Sequence, residues 1–121
     1  YKDIFYQSSY ELAYILKIES EQGISSIKRA NISIKYNDKN NVERRYLPDF
    51  ILNDCYLIEI KGMAYWIDLE NLKLKNKFAK KWCKQHNLNY RVITDKDIDN
   101  FYLNSAKKYI RSLNQNNEVK K

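Results

Sequence analysis

The stretch Arg45-Tyr46-Leu47-Pro48-Asp49-Phe50-Ile51-Leu52-Asn53-Asp54-Cys55-Tyr56-Leu57-Ile58-Glu59-Ile60-Lys61-Gly62 decides the fold. It reads as the end of one strand, from Val42 to about Leu52, a tight turn at Asn53-Asp54, and a second strand from Cys55 to Lys61. Side chains alternate faces along a strand, so Glu59 and Lys61 project together while Ile58 and Ile60 point into a core. The turn folds the first strand back beside the second and brings Asp49 next to Glu59. Two carboxylates this close repel each other unless a cation lies between them, and hard oxygen ligands suit Mg²⁺ or Mn²⁺. A lysine beside such an ion can orient water and stabilise charge on a phosphate. These are the requirements of metal-assisted phosphodiester hydrolysis.

Working outward, the chain upstream opens with a predicted helix over Ser9 to Gln22, its apolar stripe made by Leu12, Ile15 and Leu16. Ser8 with Glu11 three residues on is a capping-box pattern, and Gly23 is a natural stop. From Ala30 to Tyr36 the period changes to two, which predicts a strand with one buried face. The run Asn37-Asp38-Lys39-Asn40-Asn41 is turn chemistry that returns the chain into the strand carrying Asp49. Downstream, Gly62 ends the antiparallel meander. A long helix follows from about Leu69 to His86, with Leu69, Leu72, Phe78, Ala79, Trp82 and Cys83 on one face. Lys73, Lys77, Lys80, Lys81 and Lys84 gather on the other. A strand at Tyr90 to Thr94, a capped turn at Asp95 and a last helix over Asn104 to Leu113 complete the pattern. The class is α/β (α+β with a mixed sheet), in the order αβββαβα, and the fourth strand pairs parallel to the third through its crossover helix. One domain over residues 1–113 and a polar, frayed tail at 114–121 are expected.

With 121 residues, 44% of them hydrophobic and 14% aromatic, the chain suffices for one packed domain and is not composed like a disordered one. No apolar run reaches the length of a membrane span, no signal peptide is legible, and no repeat is visible. Cys55 and Cys83 form no C-x-x-C pair, so a structural zinc site and a disulfide scaffold are excluded; both read as small core residues of a reducing cytosol. The formal charge of +7 favours a polyanionic partner such as nucleic acid. The chain begins at Tyr1 rather than Met, which implies a piece of a longer protein or a processed one.

Pro48-Asp49 followed by Glu59-Ile60-Lys61 resembles the PD-(D/E)XK (restriction-endonuclease-like) nuclease superfamily. The likeness extends from Ser9 to Thr94, because a helix, three meandering strands carrying the acid and the E-x-K, then a helix and a strand are its αβββαβ core; here a C-terminal helix is added. The local text Arg45 to Phe50 and Glu59 to Gly62 looks most like small phage and mobile-element nucleases, including homing endonucleases. The resemblance implies a DNA endonuclease that uses Mg²⁺, with Mn²⁺ substituting, and leaves 5′-phosphate and 3′-hydroxyl ends. By it, Asp49, Glu59 and the Ile60 carbonyl hold the ion, Glu11 on the first helix contributes directly or through water, and Lys61 activates the attacking water. The expected setting is the cytoplasm of a bacterial or phage-infected cell, with DNA as substrate and no membrane. A homodimer, a separate recognition domain or a partner chain supplies specificity, since no helix-turn-helix or zinc finger is legible.

Other basic residues are candidate DNA contacts. Lys75 falls inside the apolar arc of the long helix, where a charge must reach a partner. It either snorkels to water at a rim, the simpler destination, or touches a phosphate at the site. Lys73 belongs to the solvated basic face, and Arg44, Arg45, Lys28 and Arg29 are candidate phosphate contacts by position, with plain surface charge as the alternative. Tyr46, Tyr65 and Trp66 are candidates for base stacking, with packing the simpler role. His86, at a helix end, reads as structural. A junction resolvase, a transposition nuclease subunit and a non-enzymatic nucleic-acid-binding module stay open beside the endonuclease reading.

Overall fold

The computed structural model describes residues 1–61 and 69–119. Gly62, Tyr65 and Trp66 therefore lie outside the described residues. The elements are α1 (Ser9–Gln22), β1 (Ile27–Arg29), β2 (Ile34–Asn37), β3 (Glu43–Tyr46), β4 (Phe50–Leu52), β5 (Tyr56–Lys61), α2 (Leu69–Gln85), β6 (Asn89–Thr94) and α3 (Asn100–Val119). A four-stranded sheet runs in the order β1-β4-β5-β6, and β2 and β3 form a separate two-stranded ribbon. β4 and β5 are antiparallel, while β5 and β6 are parallel, so the sheet is mixed as expected.

The sheet is covered on both faces. On one, Ile27, Phe50, Leu52, Ile58, Ile60 and Ile93 pack against Leu12, Ala13, Ile15 and Ile18 of α1 and Ala106 of α3. On the other, Leu57 meets Ala79 and Cys83 of α2 together with Ile34 and Tyr46 of the ribbon. This double covering explains why four consecutive β5 residues, Leu57 to Ile60, are all buried. Glu59 lies among them.

The Asn53-Asp54 turn forms as the sequence predicts. Both residues take positive φ (53° and 55°), and the Cys55 amide donates to the Leu52 carbonyl at 3.0 Å. Two successive positive φ values in this three-residue connection match the twist of the flanking strands, and Asn and Asp tolerate them best after glycine. The turn pins the β4–β5 register at Phe50↔Ile58.

Several boundaries differ from the sequence reading. The expected strand over Ala30 to Tyr36 is two pieces, β1 before it and β2 at its end, and the expected Val42–Leu52 strand is broken between Tyr46 and Phe50. Pro48 is the reason: it has no N–H to give a ladder and is fully buried at the break. The hairpin bends there, and pairing resumes with the Ala30 amide donating to the Asp49 carbonyl at 3.0 Å. Helix α3 starts four residues earlier than expected and continues to Val119. Tyr102 and Leu103 amides close on the Asp99 carbonyl, and Tyr102, Leu103, Ala106, Tyr109 and Ile110 give the added turn an apolar face against the α1 core. The tail expected at 114–121 is thus helical to Val119. Cys83 is buried as expected, but Cys55 is exposed, because it directly follows the turn.

Phe50 is fully buried between the sheet and α1, with its ring stacked on Tyr14 at 6.3 Å. Phe50→Ala should cost about 3–5 kcal/mol of unfolding free energy by urea titration; a loss below about 1 kcal/mol would place it outside the core.

Candidate active site

The register places the acids. The β4–β5 register ends at Phe50↔Ile58, and the Asp49 amide, just before it, donates to the Ile58 carbonyl at 3.1 Å, which sets Asp49 within reach of the Glu59 charge. Asp49 Oδ2 accepts the Ile60 amide at 2.7 Å, so a side chain takes up a strand amide just past the break at Pro48. In a strand the N–H and C=O of one residue point to the same side. The Ile60 carbonyl therefore faces the Asp49 edge as well.

Glu59 is only 6% exposed, and its surroundings are charged. Oε1 lies 3.8 Å from Lys61 Nζ and 3.9 Å from Lys75 Nζ. Oε2 is buried with no hydrogen-bond partner among the described residues. Lys75 reaches in from α2 over the Tyr46 ring, 4.5 Å from its centroid. The Tyr46 and Tyr90 hydroxyls are 3.0 Å apart, and Tyr90 donates to Asn76 Oδ1 at 3.1 Å. Burial, then the facing Glu59 charge, pushes the Tyr46 hydroxyl far above the ordinary phenol range. Burial likewise lowers Lys75, with Glu59 opposing the shift and Lys61 adding to it.

On the opposite flank Arg29 joins the other two acids. Its Nη1 donates to Glu11 Oε1 at 2.5 Å, and Nη2 stands 3.6 Å from Asp49 Oδ1. The guanidinium lies over Phe50 at 5.2 Å and Phe5 at 5.4 Å. Ser8 caps α1 by accepting the Glu11 amide at 3.2 Å and touches Glu11 Oε2 at 3.3 Å. Cap and acid site thus share Glu11.

Of the expected site residues, the structure gathers Asp49, Glu59, Ile60 and Lys61 with Lys75, and it links Glu11 to Asp49 through Arg29. Lys75 turns to Glu59 rather than to a solvent rim, and Arg29 sits among the acids rather than on open surface. The other candidates stand apart. Lys28 pairs with Asp54 at 2.9 Å across the strand edge, and Arg44 is bound at 2.9 Å by Asp38, which organises the β2–β3 turn. Arg45 is exposed opposite Lys35 in the ribbon, and Lys73 is exposed on α2. His86 stacks on Trp82 at a helix end, which accords with a structural role. Tyr46 is buried in packing, as the simpler reading has it. Tyr90 and Asn76 were not singled out by sequence reasoning; the charge placed inside the α2 apolar arc at Lys75 was the signal that a polar cluster waits there.

The residues fit a divalent ion. Asp49 Oδ1 and the unpartnered Glu59 Oε2 belong to neighbouring carboxylates, and the Ile60 carbonyl shares their edge. Among the described residues no three His, Cys, Asp or Glu side chains form a ready cage. Two carboxylates, a main-chain oxygen and water are the donors on offer, a set that Mg²⁺, which keeps several waters, accepts.

A family model described as TnsA-like endonuclease N terminal matches residues 13–95, a span that holds Asp49, Glu59, Lys61 and Lys75. No curated protein matches the chain. No solved structure matches it either.

Burial raises the Asp49 carboxyl from 3.8 to about 6, reinforced by the Glu59 and Glu11 charges and opposed by the Ile60 amide and Arg29. A carboxyl raised on folding binds its proton more tightly in the native state. The metal-free protein therefore gains stability as pH falls from about 7 through 6 toward 4, by at most roughly 3 kcal/mol. Asp49→Asn should remove that pH step in thermal melts with EDTA and raise the neutral-pH melting temperature. A melt as pH-dependent as the wild type would show that Asp49 is not the titrating group.

Proposed function

We infer that this chain, which belongs to the TnsA-like endonuclease N-terminal family and with it to the restriction-endonuclease-like nuclease superfamily, hydrolyses DNA phosphodiester bonds with the aid of a divalent ion. The observation that carries the reading is the buried Glu59 carboxylate, one oxygen unpartnered among the described residues, close enough to Asp49 for their charges to act on each other. Lys61 and Lys75 meet Glu59 Oε1 at 3.8 and 3.9 Å, and the buried Oε2 is left as a hard oxygen donor that a divalent ion can use.

Asp49 and Glu59 hold Mg²⁺ or Mn²⁺, with the Ile60 carbonyl as the adjoining donor. When bound, the ion polarises the phosphate and lowers the pKa of water beside it. Lys61, on the same face as Glu59, orients the attacking water and stabilises the negative charge that builds on the phosphate. Lys75, held by Glu59 and the Tyr46 ring, adds a second cation from the helix side. The charge of +7 and the exposed lysines of α2 draw the DNA backbone to this face. Among the kinds of nuclease that use such a site, the family match favours a transposition nuclease acting with other transposase subunits over a homing enzyme or a resolvase.

Supercoiled plasmid should be nicked with Mg²⁺ or Mn²⁺ and left intact with EDTA. Glu59→Gln, Lys61→Ala and Asp49→Asn should each lower the rate by at least about a hundredfold while circular dichroism stays native. Wild-type rates in these variants would overturn the reading and leave a basic nucleic-acid-binding module.

A further inference from the structure

We propose that Arg29 is an internal stand-in for the divalent ion: it neutralises Asp49 in the metal-free protein, is displaced when the ion enters, and then binds a DNA phosphate. This deepens the nuclease reading and rests on it. Among the described residues, the six charged side chains at the site are three acids, Glu11, Asp49 and Glu59, and three cations, Arg29, Lys61 and Lys75. The cluster is balanced without any ion. Adding a divalent cation leaves an excess of two positive charges in a half-buried space, and the cation nearest the new charge is driven outward.

The contacts say which one moves. Both lysines touch Glu59 Oε1, so neither stands on the unpartnered Oε2 or on Asp49 Oδ1. Arg29 does stand on Asp49 Oδ1, at 3.6 Å, a loose contact beside its 2.5 Å bond to Glu11. Asp49 Oδ2 is held by the Ile60 amide, which makes Oδ1 the oxygen both Arg29 and an ion must share. Glu11 and the Phe5 carbonyl, 3.4 Å from Nη1, anchor Arg29 on the side away from Glu59. Next to that side lies a cavity of about 340 Å³, lined by Phe5, Arg29, Asn31, Leu47 and Pro48 among others. The guanidinium has room to pivot on Glu11 into this space, one residue from Asp49, where its planar fork suits a phosphate. Glu11 is then a positioning residue that acts through Arg29.

The test measures Mn²⁺ binding without DNA, by the electron-paramagnetic-resonance signal of the free ion, in wild type, Arg29→Gln and Arg29→Lys. Gln keeps a planar amide between the two rings and removes the charge; Lys keeps the charge and controls for the substitution. Arg29→Gln should bind Mn²⁺ roughly tenfold more tightly than wild type, and Arg29→Lys within about threefold of it. Fluorescence anisotropy with a labelled duplex in Ca²⁺ or EDTA adds the second half. Ca²⁺ should strengthen DNA binding in wild type by several-fold, and Arg29→Gln should lose most of that gain. Unchanged or weaker Mn²⁺ binding in Arg29→Gln, or an undiminished Ca²⁺ gain, overturns the proposal and makes Arg29 a fixed strut. Wild-type protein that binds no Mn²⁺ at all overturns the nuclease reading instead.

Discussion

A single side chain to main chain hydrogen bond, Asp49 Oδ2 accepting the Ile60 amide at 2.7 Å, organises this molecule's chemistry. Pro48 ends the β4 ladder because it has no donor, and past that break the Ile60 amide still has an acceptor place to fill. The aspartate fills it. In doing so it is carried close to Glu59, on a buried strand edge, where a carboxylate would not settle of its own accord. Bending of the hairpin at the same point swings β2 and β3 out into a ribbon and opens the edge on which both acids stand.

Once two acids share that edge, the rest of the site follows from charge balance. Desolvation penalises each carboxylate, and removing one partner of such a group is more damaging than never having had the pair. Lys61 comes from the same strand by the two-residue period. Lys75 comes from α2, its ammonium over the Tyr46 ring, and Arg29 comes from β1 through the antiparallel β1–β4 pairing. Three separate elements thus converge on a few ångströms of strand. The raised Asp49 carboxyl is the residual cost, a local strain that a site for a cation retains at the expense of metal-free stability.

Particular elements show how far the letters reach. Helix α1, the Asn53-Asp54 turn, β5 and its parallel partner β6 were legible, because each carries a strong local signal: a cap and stripe, a turn dipeptide, a dense run of β-formers. Asp49, Glu59 and Lys61 were legible through the same rules, since alternation and a tight turn suffice to bring them together. The break at Pro48 was misplaced, as the bend depends on which side of the ladder the missing donor faces. Cys55 was misjudged because hydrophobic character does not say which residues of a turn reach the core. The start of α3 was missed because its first turn packs into the core that α1 shares, far away along the chain.

What the sequence determined by itself is a helix, an antiparallel meander, a helix and a parallel strand in that order, together with the grouping of two acids and one lysine, all of which follow from short-range period and turn chemistry. What only the tertiary structure decided is the fate of the long side chains. Lys75 and Arg29 each have a long side chain with four freely rotating torsions, and their destinations depend on which buried acid lies within range after packing. Neutralising a desolvated charge is a property of the assembled interior, so the residues that do it are found only once the chain has folded around them.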